Sequence, residues 1–192
     1  MVVVTGIGDN YEAGSDFTTI RYDTSLARQW ERTYNGTGGG HDIPTNVEID
    51  SEGNIYVTGE SPGGAVTGLD FATAKYGPDG TQLWVRRLNG AASLDDSPAS
   101  MAVDDHGNAY VTGWSDGGAT GLSGYLTVKY DPAGVERWQT SFRGTLLGDD
   151  AARAITVDAE GNVLVTGRSE FFVVGPPPHY NIVTFKYRKE GF

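Results

Sequence analysis

The chain has no cysteine among its 192 residues. This absence excludes disulfide bonds, thiolate metal sites and a cysteine nucleophile, but it does not assign a cellular compartment. Hydrophobic runs are also short, and none approaches the roughly 18 residues of a membrane-spanning helix. The opening stretch Met1–Val4 is too short for the apolar region of a signal peptide and has no basic flank. We therefore expect no membrane insertion, with either a cytosolic location or an export signal outside these residues.

Basic residues are scarce, because 14 Lys and Arg stand against 25 Asp and Glu, which gives a formal net charge of −11. A surface of this sign repels the phosphate groups of nucleic acids and of anionic membranes. Nucleic acid is therefore not expected as a partner. A cationic partner, a metal ion or an uncharged glycan is compatible with the charge.

A repeat dominates the sequence. The phrase Val-Thr-Gly occurs four times, and its successive threonines are 53, 54 and 54 residues apart. Other residue types keep the same 54-residue step, namely Tyr22, Tyr76 and Tyr130, then Trp30, Trp84 and Trp138, then Asp42, Asp96 and Asp150. Self-similarity at one fixed period is the signature of a repeat architecture.

Each repeat contains four predicted strands separated by turns. In the second repeat these strands cover 45–50, 55–58, 71–76 and 84–88. β-Branched and aromatic residues fill them, and Gly, Asp, Asn and Pro bound them. The strand Ile55-Tyr56-Val57 is apolar on both faces, which is typical of a sheet packed between two neighbours. Four-stranded antiparallel sheets covered on both sides predict an all-β fold of the β-propeller type.

The period divides a single propeller domain into the units 1–42, 43–96, 97–150 and 151–192. The first and last units have three predicted strands each, so about 3.5 blades are present. A propeller ring normally closes by pairing strands from both ends of the chain. Three arrangements stay open: a fragment of a larger propeller, a subunit whose ring is completed by oligomerisation, or a small ring with two short blades.

The motif blocks Asp70–Tyr76, Gly80–Trp84 and Asp104–Gly113 carry a family resemblance. They resemble the bacterial β-propeller repeat family called SBBP, and the likeness extends over nearly the whole chain. The resemblance implies propeller blades, commonly within secreted or surface proteins of bacteria, and no defined enzymatic reaction. An extracellular or cell-surface location is the resulting expectation, and a cytosolic one stays open. A weaker likeness to quinoprotein-type repeats runs through 130–138.

Loops after the second and fourth strands of a blade emerge on one face, here called the loop face, where propeller ligands usually bind by analogy with the fold. The predicted loop 168–180 is three residues longer than its counterparts and contains Arg168, Phe171, Phe172 and His179 around a proline run. Exposed aromatic residues beside stiff prolines favour a binding ridge. The alternative is a loop that covers a blade edge. Trp114 is a second candidate, as an aromatic platform for a sugar or as an ordinary packing residue.

Three aspartates, Asp42, Asp96 and Asp150, recur just before the predicted innermost strand. An acidic ring around the central channel is one interpretation, and it would suit Ca²⁺, which prefers several converging oxygen ligands. Alternatively, each carboxylate bonds backbone amides of its own loop. No other cofactor is indicated.

The leading interpretation is a non-catalytic binding or scaffold module that takes a protein or glycan through the loop face. No catalytic residue is assigned. A propeller-type enzyme, such as a glycosidase, lyase or quinoprotein-like protein, is the alternative, and its weak candidates are Glu12, Glu60, Arg168 and Glu170. A third interpretation is a structural unit that self-assembles through unpaired edge strands.

Overall fold

The computed structural model describes residues 1–10, 14–64, 66–144, 148–171 and 179–188. These residues form fourteen β-strands and, apart from a single 3₁₀ turn at Gly118–Thr120, no helix. The strands make four antiparallel sheets. The predicted all-β fold is therefore confirmed. Nowhere in the described part of the chain is there a helix long and apolar enough to cross a membrane.

The sheets follow one another along the chain. The first sheet contains β1 (Val2–Asn10), β2 (Gly14–Tyr22) and β3 (Arg28–Tyr34). The second contains β4 (Ile43–Ile49), β5 (Ile55–Pro62), β6 (Leu69–Tyr76) and β7 (Gln82–Leu88). The third contains β8 (Asp96–Val103), β9 (Ala109–Ser115), β10 (Gly124–Tyr130) and β11 (Glu136–Phe142). The fourth contains β12 (Asp150–Val157), β13 (Val163–Phe171) and β14 (His179–Tyr187).

Within each sheet, consecutive strands pair side by side as a meander. The strands of the first sheet pack on the second, those of the second on the third, and those of the third on the fourth. The four sheets do not close into a ring. This arrangement is an open stack of propeller blades, and the count of three, four, four and three strands matches the expectation from the repeat.

Tight turns join the first two strands of a blade. In the third sheet, the carboxylate of Asp104 accepts hydrogen bonds from the backbone N–H groups of His106 and Asn108, both at 2.9 Å. Gly107 completes the turn with a φ of +76°, a conformation that favours glycine. Burial alone would raise the pKa of Asp104, but bonds from Asn108 and Tyr110 outweigh it and hold that pKa below its usual value. The Asp-x-x-Gly-Asn phrase is therefore a turn.

The innermost strands begin earlier than predicted. We expected them to start at 45, 100 and 153, whereas β4, β8 and β12 begin at Ile43, Asp96 and Asp150. Each contains a β-bulge, seen as a register shift between Pro44 and Asn46 in β4 and at the equivalent places in β8 and β12. A bulge lets pairing continue past one extra residue, so the strand extends beyond the break in its alternating pattern.

An indole side chain connects each of the first two sheets to the next. Trp30 Nε1 donates to the carbonyl of Pro78 at 3.0 Å, and Trp84 Nε1 donates to the carbonyl of Pro132 at 3.1 Å. Trp84 also packs edge-on against Tyr56, with ring centroids 5.9 Å apart. The indole thus fills the gap between sheets and satisfies its own donor.

Truncating this side chain should destabilise the stack. Trp84→Ala is expected to lower the free energy of unfolding by about 3–5 kcal/mol, because it leaves a cavity and an unpaired carbonyl. Trp84→Phe retains part of the packing and should lose less. Chemical denaturation of the three proteins measures the difference. An unfolding midpoint that Trp84→Ala leaves unchanged would refute this placement of the indole.

A second prediction concerns the turn under that indole. A Cβ added at Gly134 (φ +77°) would lie 2.8 Å from the Trp84 ring, whereas at Gly39 (φ +66°) nothing lies within 4 Å. Both alanine variants incur the backbone strain of about 1–2 kcal/mol. Gly134→Ala should lose about 1–3 kcal/mol more through the collision. Equal losses in denaturant titrations would contradict the contact.

Candidate functional site

The predicted site residues lie on strand ends rather than in long loops. Trp114 belongs to β9, Arg168 and Phe171 belong to β13, and His179 begins β14. Phe171 pairs directly with His179. The predicted bounds of the 168–180 loop are therefore wrong, because β13 continues to Phe171 and β14 already begins at His179. Phe172 and the proline run lie outside the described residues.

The structure brings Trp114 and Arg168 together in one cleft between the third and fourth sheets. We call it the loop-face cleft and define it by Trp114, Asp116, Ser123, Asp149, Arg153 and Arg168. Its volume is about 390 Å³, within the range of small-ligand sites. Phe171 is not among the described residues that line it.

Two guanidinium groups border this cleft. Arg153 is the extra residue of the bulge in β12, which shifts the register between Ala152 and Ala154. Bulges often redirect a side chain next to a functional site. Arg153 is exposed and forms no hydrogen bond or ion pair within the described residues. Arg168 is also exposed, and its guanidinium lies 5.3 Å from the ring centre of Tyr180.

Two carboxylates complete the polar lining. Asp149 Oδ1 accepts hydrogen bonds from the backbone N–H of Ser123 at 2.8 Å and from its hydroxyl at 3.1 Å. Asp116 Oδ1 accepts from the backbone N–H of Gly118 at 2.9 Å. The bond from Gly118 fixes Asp116 to its own loop, and the bonds from Ser123 fix Asp149 to the neighbouring loop of the third sheet. The cleft is therefore lined by a half-buried tryptophan, two exposed arginines and two aspartates.

Trp114, Arg153 and Arg168 do not follow the repeat, whereas Asp149 does, since Asp95 lies one period before it and accepts the equivalent hydrogen bond from Leu69. The position of Trp114 is occupied by Glu60 in the second sheet and by Arg168 in the fourth, since each pairs at the same place in its sheet. Where the fourth sheet has Arg153, the bulges of the other sheets have Thr45 and Ala99. The backbone geometry recurs without these side chains, so the architecture does not require them.

The two described glutamates among the remaining enzyme candidates do not line the loop-face cleft. Glu60 accepts a hydrogen bond from the hydroxyl of Ser97. Glu170 accepts one from the backbone N–H of Asp149 at 3.1 Å, and Glu12 lies outside the described residues. These contacts support the loops around the strands rather than assembling a catalytic group.

The recurring aspartates each bond their own loop. Asp42, Asp96 and Asp150 accept hydrogen bonds from the backbone N–H groups of Gly36, Gly90 and Gly144, at 2.9, 2.5 and 2.5 Å. A recurring serine lies beside each of these glycines, namely Ser61, Ser115 and Ser169. Among the described residues, no three His, Asp or Glu side chains converge as a metal site would require. This bonding supports the interpretation as loop caps.

The serines were missed from the sequence, although they keep the 54-residue step. A Cβ at Gly90 would lie 2.0 Å from Ser115 Oγ and 2.5 Å from Asp96 Oδ1. Burial raises the pKa of Asp96, and the carboxylates of Asp70 and Asp116 act in the same direction. The close approach of the loop therefore explains why glycine recurs there.

A buried ionic network fills the loop face between the first and second sheets. The Arg87 guanidinium donates to the carboxylate of Asp70 at 2.8 Å and to the hydroxyl of Tyr34 at 3.1 Å. It also donates to the backbone carbonyl of Ser61 at 2.8 Å. This network could not be predicted from the repeat, because Arg87 and Tyr34 belong to neighbouring sheets.

In the third sheet, Gly124 occupies the position of Asp70, and Ser141 occupies the position of Arg87. A cavity of about 650 Å³ lies there, bordered by Gly90, Ala91 and Arg143 among others. Glycine and alanine form about half of its lining, so it offers few side chains for recognition. The loop-face cleft is the better candidate site.

A calcium titration tests the acidic-ring interpretation. Because each carboxylate already bonds its own loop, millimolar Ca²⁺ is expected to leave the melting temperature unchanged. A ligand that binds only the folded state would raise it. A rise that Asp96→Asn abolishes and that the exposed control Asp105→Asn retains would establish a calcium site instead.

The comparisons with known proteins agree with this architecture. No curated protein matches the chain. The beta-propeller repeat family SBBP matches residues 32–64 and 83–118. Each match extends from the last strand of one sheet through the first two strands of the next. The chain thus contains two segments that match the SBBP beta-propeller repeat, and in these segments it is similar to that family.

Proposed function

We propose that this propeller-type protein is a non-catalytic binding module that takes a saccharide in the loop-face cleft. The observation that carries the proposal is that Trp114, Arg153 and Arg168 line one cleft. An indole offers a flat apolar face, and the flanking charged groups offer hydrogen bonds. A sugar ring has both an apolar face and a rim of hydroxyl groups, so it suits such a site.

The charges of the cleft favour a carboxylated sugar over a neutral one. Arg153 and Arg168 present forked donors that match a carboxylate. Asp149 and Asp116 accept hydrogen bonds from loop amides, and their carboxylates can also accept from sugar hydroxyls. The formal net charge of −11 disfavours a polyanion such as nucleic acid, but two local arginines suffice for one carboxylate. A saccharide ligand fits the secreted or surface location that the family resemblance implies.

A glycoside hydrolase is the second candidate. One observation favours it, namely that two carboxylates, Asp116 and Asp149, line the same cleft as an aromatic platform. Glycosidases use such a pair as acid and as nucleophile or base. The bonds from Ser123 to Asp149 tie that carboxylate to the loop, which suits a positioning role better than proton transfer.

Calorimetric titration with oligogalacturonate and with neutral cello-oligosaccharides tests the proposal. We expect binding of the carboxylated probe. Trp114→Ala and Arg153→Ala should each weaken it by about tenfold or more, as anchor residues in a pocket do. Arg28→Ala is the matched control, since Arg28 is an exposed arginine on the first sheet and should change nothing.

The outcomes separate the two candidates. Thermal melts establish that each variant is folded before its affinity is compared. Binding without any change in the length of the oligosaccharide supports a binding module. Shorter products that disappear in Asp149→Asn would identify a hydrolase. Failure to bind either probe, or binding that Trp114→Ala leaves intact, would refute the saccharide site.

A further inference from the structure

Neighbouring sheets meet through a recurring contact between a large side chain and a glycine. Cβ atoms added at Gly59, Gly113 and Gly167 would lie 2.6 Å from Phe17, 2.9 Å from Phe71 and 2.7 Å from Tyr125, each a residue of the preceding sheet. These glycines end the Val-Thr-Gly phrase. Phe17, Phe71 and Tyr125 are each only 1% exposed. The phrase therefore forms a slot that receives one side chain from the sheet before it.

The two ends of the stack present the separate halves of this contact. Nothing lies within 4 Å of a Cβ built at Gly6, which ends the first Val-Thr-Gly phrase. The hydroxyl groups of Thr184 and Thr166 lie 2.9 Å apart, as those of Thr127 and Thr112 do at 2.8 Å. The fourth and third sheets therefore share one register, in which Ile182 occupies the position of Tyr125. Ile182 is 87% exposed. The slot is open on the first sheet, and the matching side chain is uncovered on the fourth.

The apolar residue beside the open slot is also uncovered on the first sheet, although its counterparts in the next two sheets are buried. Val57 and Val111 are fully buried against the preceding sheet. Val4 holds the same place in its phrase and is 50% exposed. Val3 packs toward the second sheet, and because side chains alternate along a strand, Val4 faces away from it. The outer face of the first sheet thus has the residues of an interface without a partner.

A turn in the first sheet specifies which kind of neighbour fits. Gly80 and Gly134 lie under the indoles of Trp30 and Trp84, and a Cβ there would approach the ring within 2.9 and 2.8 Å. The corresponding turn residue of the first sheet is Leu26, a non-glycine with a φ of 64°. A tryptophan from a preceding sheet would collide with this Leu26. The neighbour must therefore lack that indole.

The fourth sheet fits this requirement, because β12, β13 and β14 contain no tryptophan. Its Lys186 occupies the position of Arg21 and Lys75 in the repeat. Those two cations donate to turn carbonyls of the next sheet, Arg21 to Pro78 at 2.6 Å and Lys75 to Pro132 at 3.3 Å. Lys186 would reach the equivalent turn of a following first sheet in the same way.

We propose that two copies of this chain join head to tail, with the fourth sheet of each packed on the first sheet of the other. Such an interface uses two different surfaces, and a contact of this kind forms a ring when its rotation closes. Four sheets from each copy give a ring of eight, within the four to eight blades that are typical of propellers. In this arrangement Ile182 fills the slot at Gly6 of the second copy. The inference is independent of the saccharide site.

Solution mass measured by light scattering over a concentration series is the first test. We expect a species of twice the 20.5 kDa chain mass at high concentration. Ile182→Lys should raise its dissociation constant by about tenfold or more, because an ammonium group would be buried in an apolar contact. Val66→Lys is the matched control, since Val66 is 78% exposed in the second sheet's loop, and it should leave the mass unchanged.

Site-directed cross-linking distinguishes the occupants of the face. The chain has no native cysteine, so Gly6→Cys combined with Ile182→Cys gives a unique pair for a short bis-maleimide. We expect covalent dimers from the double variant and no ring-closing link within one chain. A monomer at all concentrations, a cross-link within a single chain, or a dimer that Ile182→Lys leaves intact would each overturn the proposal.

Discussion

The hydrogen bond from a tryptophan of one sheet to a turn carbonyl of the next is the constraint on which the stacking depends. The indoles of Trp30 and Trp84 fix the distance between sheets by packing and fix their direction by donating to Pro78 and Pro132. Because the ring lies against the turn, the residue beneath it must be glycine. The 54-residue spacing of tryptophans in the sequence therefore results from a contact between blades rather than from the structure within one blade.

This dependence explains how much the sequence could predict. Contacts that recur in every blade leave a periodic mark, so the number of sheets and their strands followed from the repeat. The ends of the strands could not be predicted from the repeat, since a bulge such as that at Arg153 changes the strand pairing without changing the amino-acid composition. Trp114 and Arg168 were predicted in loops, although each lies within a strand that continues past its Val-Thr-Gly phrase.

The candidate site was only partly readable from the sequence. Trp114 and Arg168 were recognisable singly, because each departs from the residue that its repeat position has elsewhere. Their meeting in one cleft depends on how the third sheet packs on the fourth, and the role of Arg153 depends on a bulge. The serines at 61, 115 and 169 keep the period, but their contact with a loop glycine depends on how each loop folds back on its sheet.

The same two repeat positions fill the space between one pair of sheets and leave it open between another pair. Between the first and second sheets, a partly buried Arg87 and a buried Asp70 fill the loop face with an ion pair. Gly124 and Ser141 take those places in the third sheet, and the junction between the second and third sheets contains a cavity of about 650 Å³ instead. Since the stacking is determined by other residues, these positions can change without loss of the fold. Recognition can therefore be confined to one junction while another is filled, which a strictly uniform repeat would not permit.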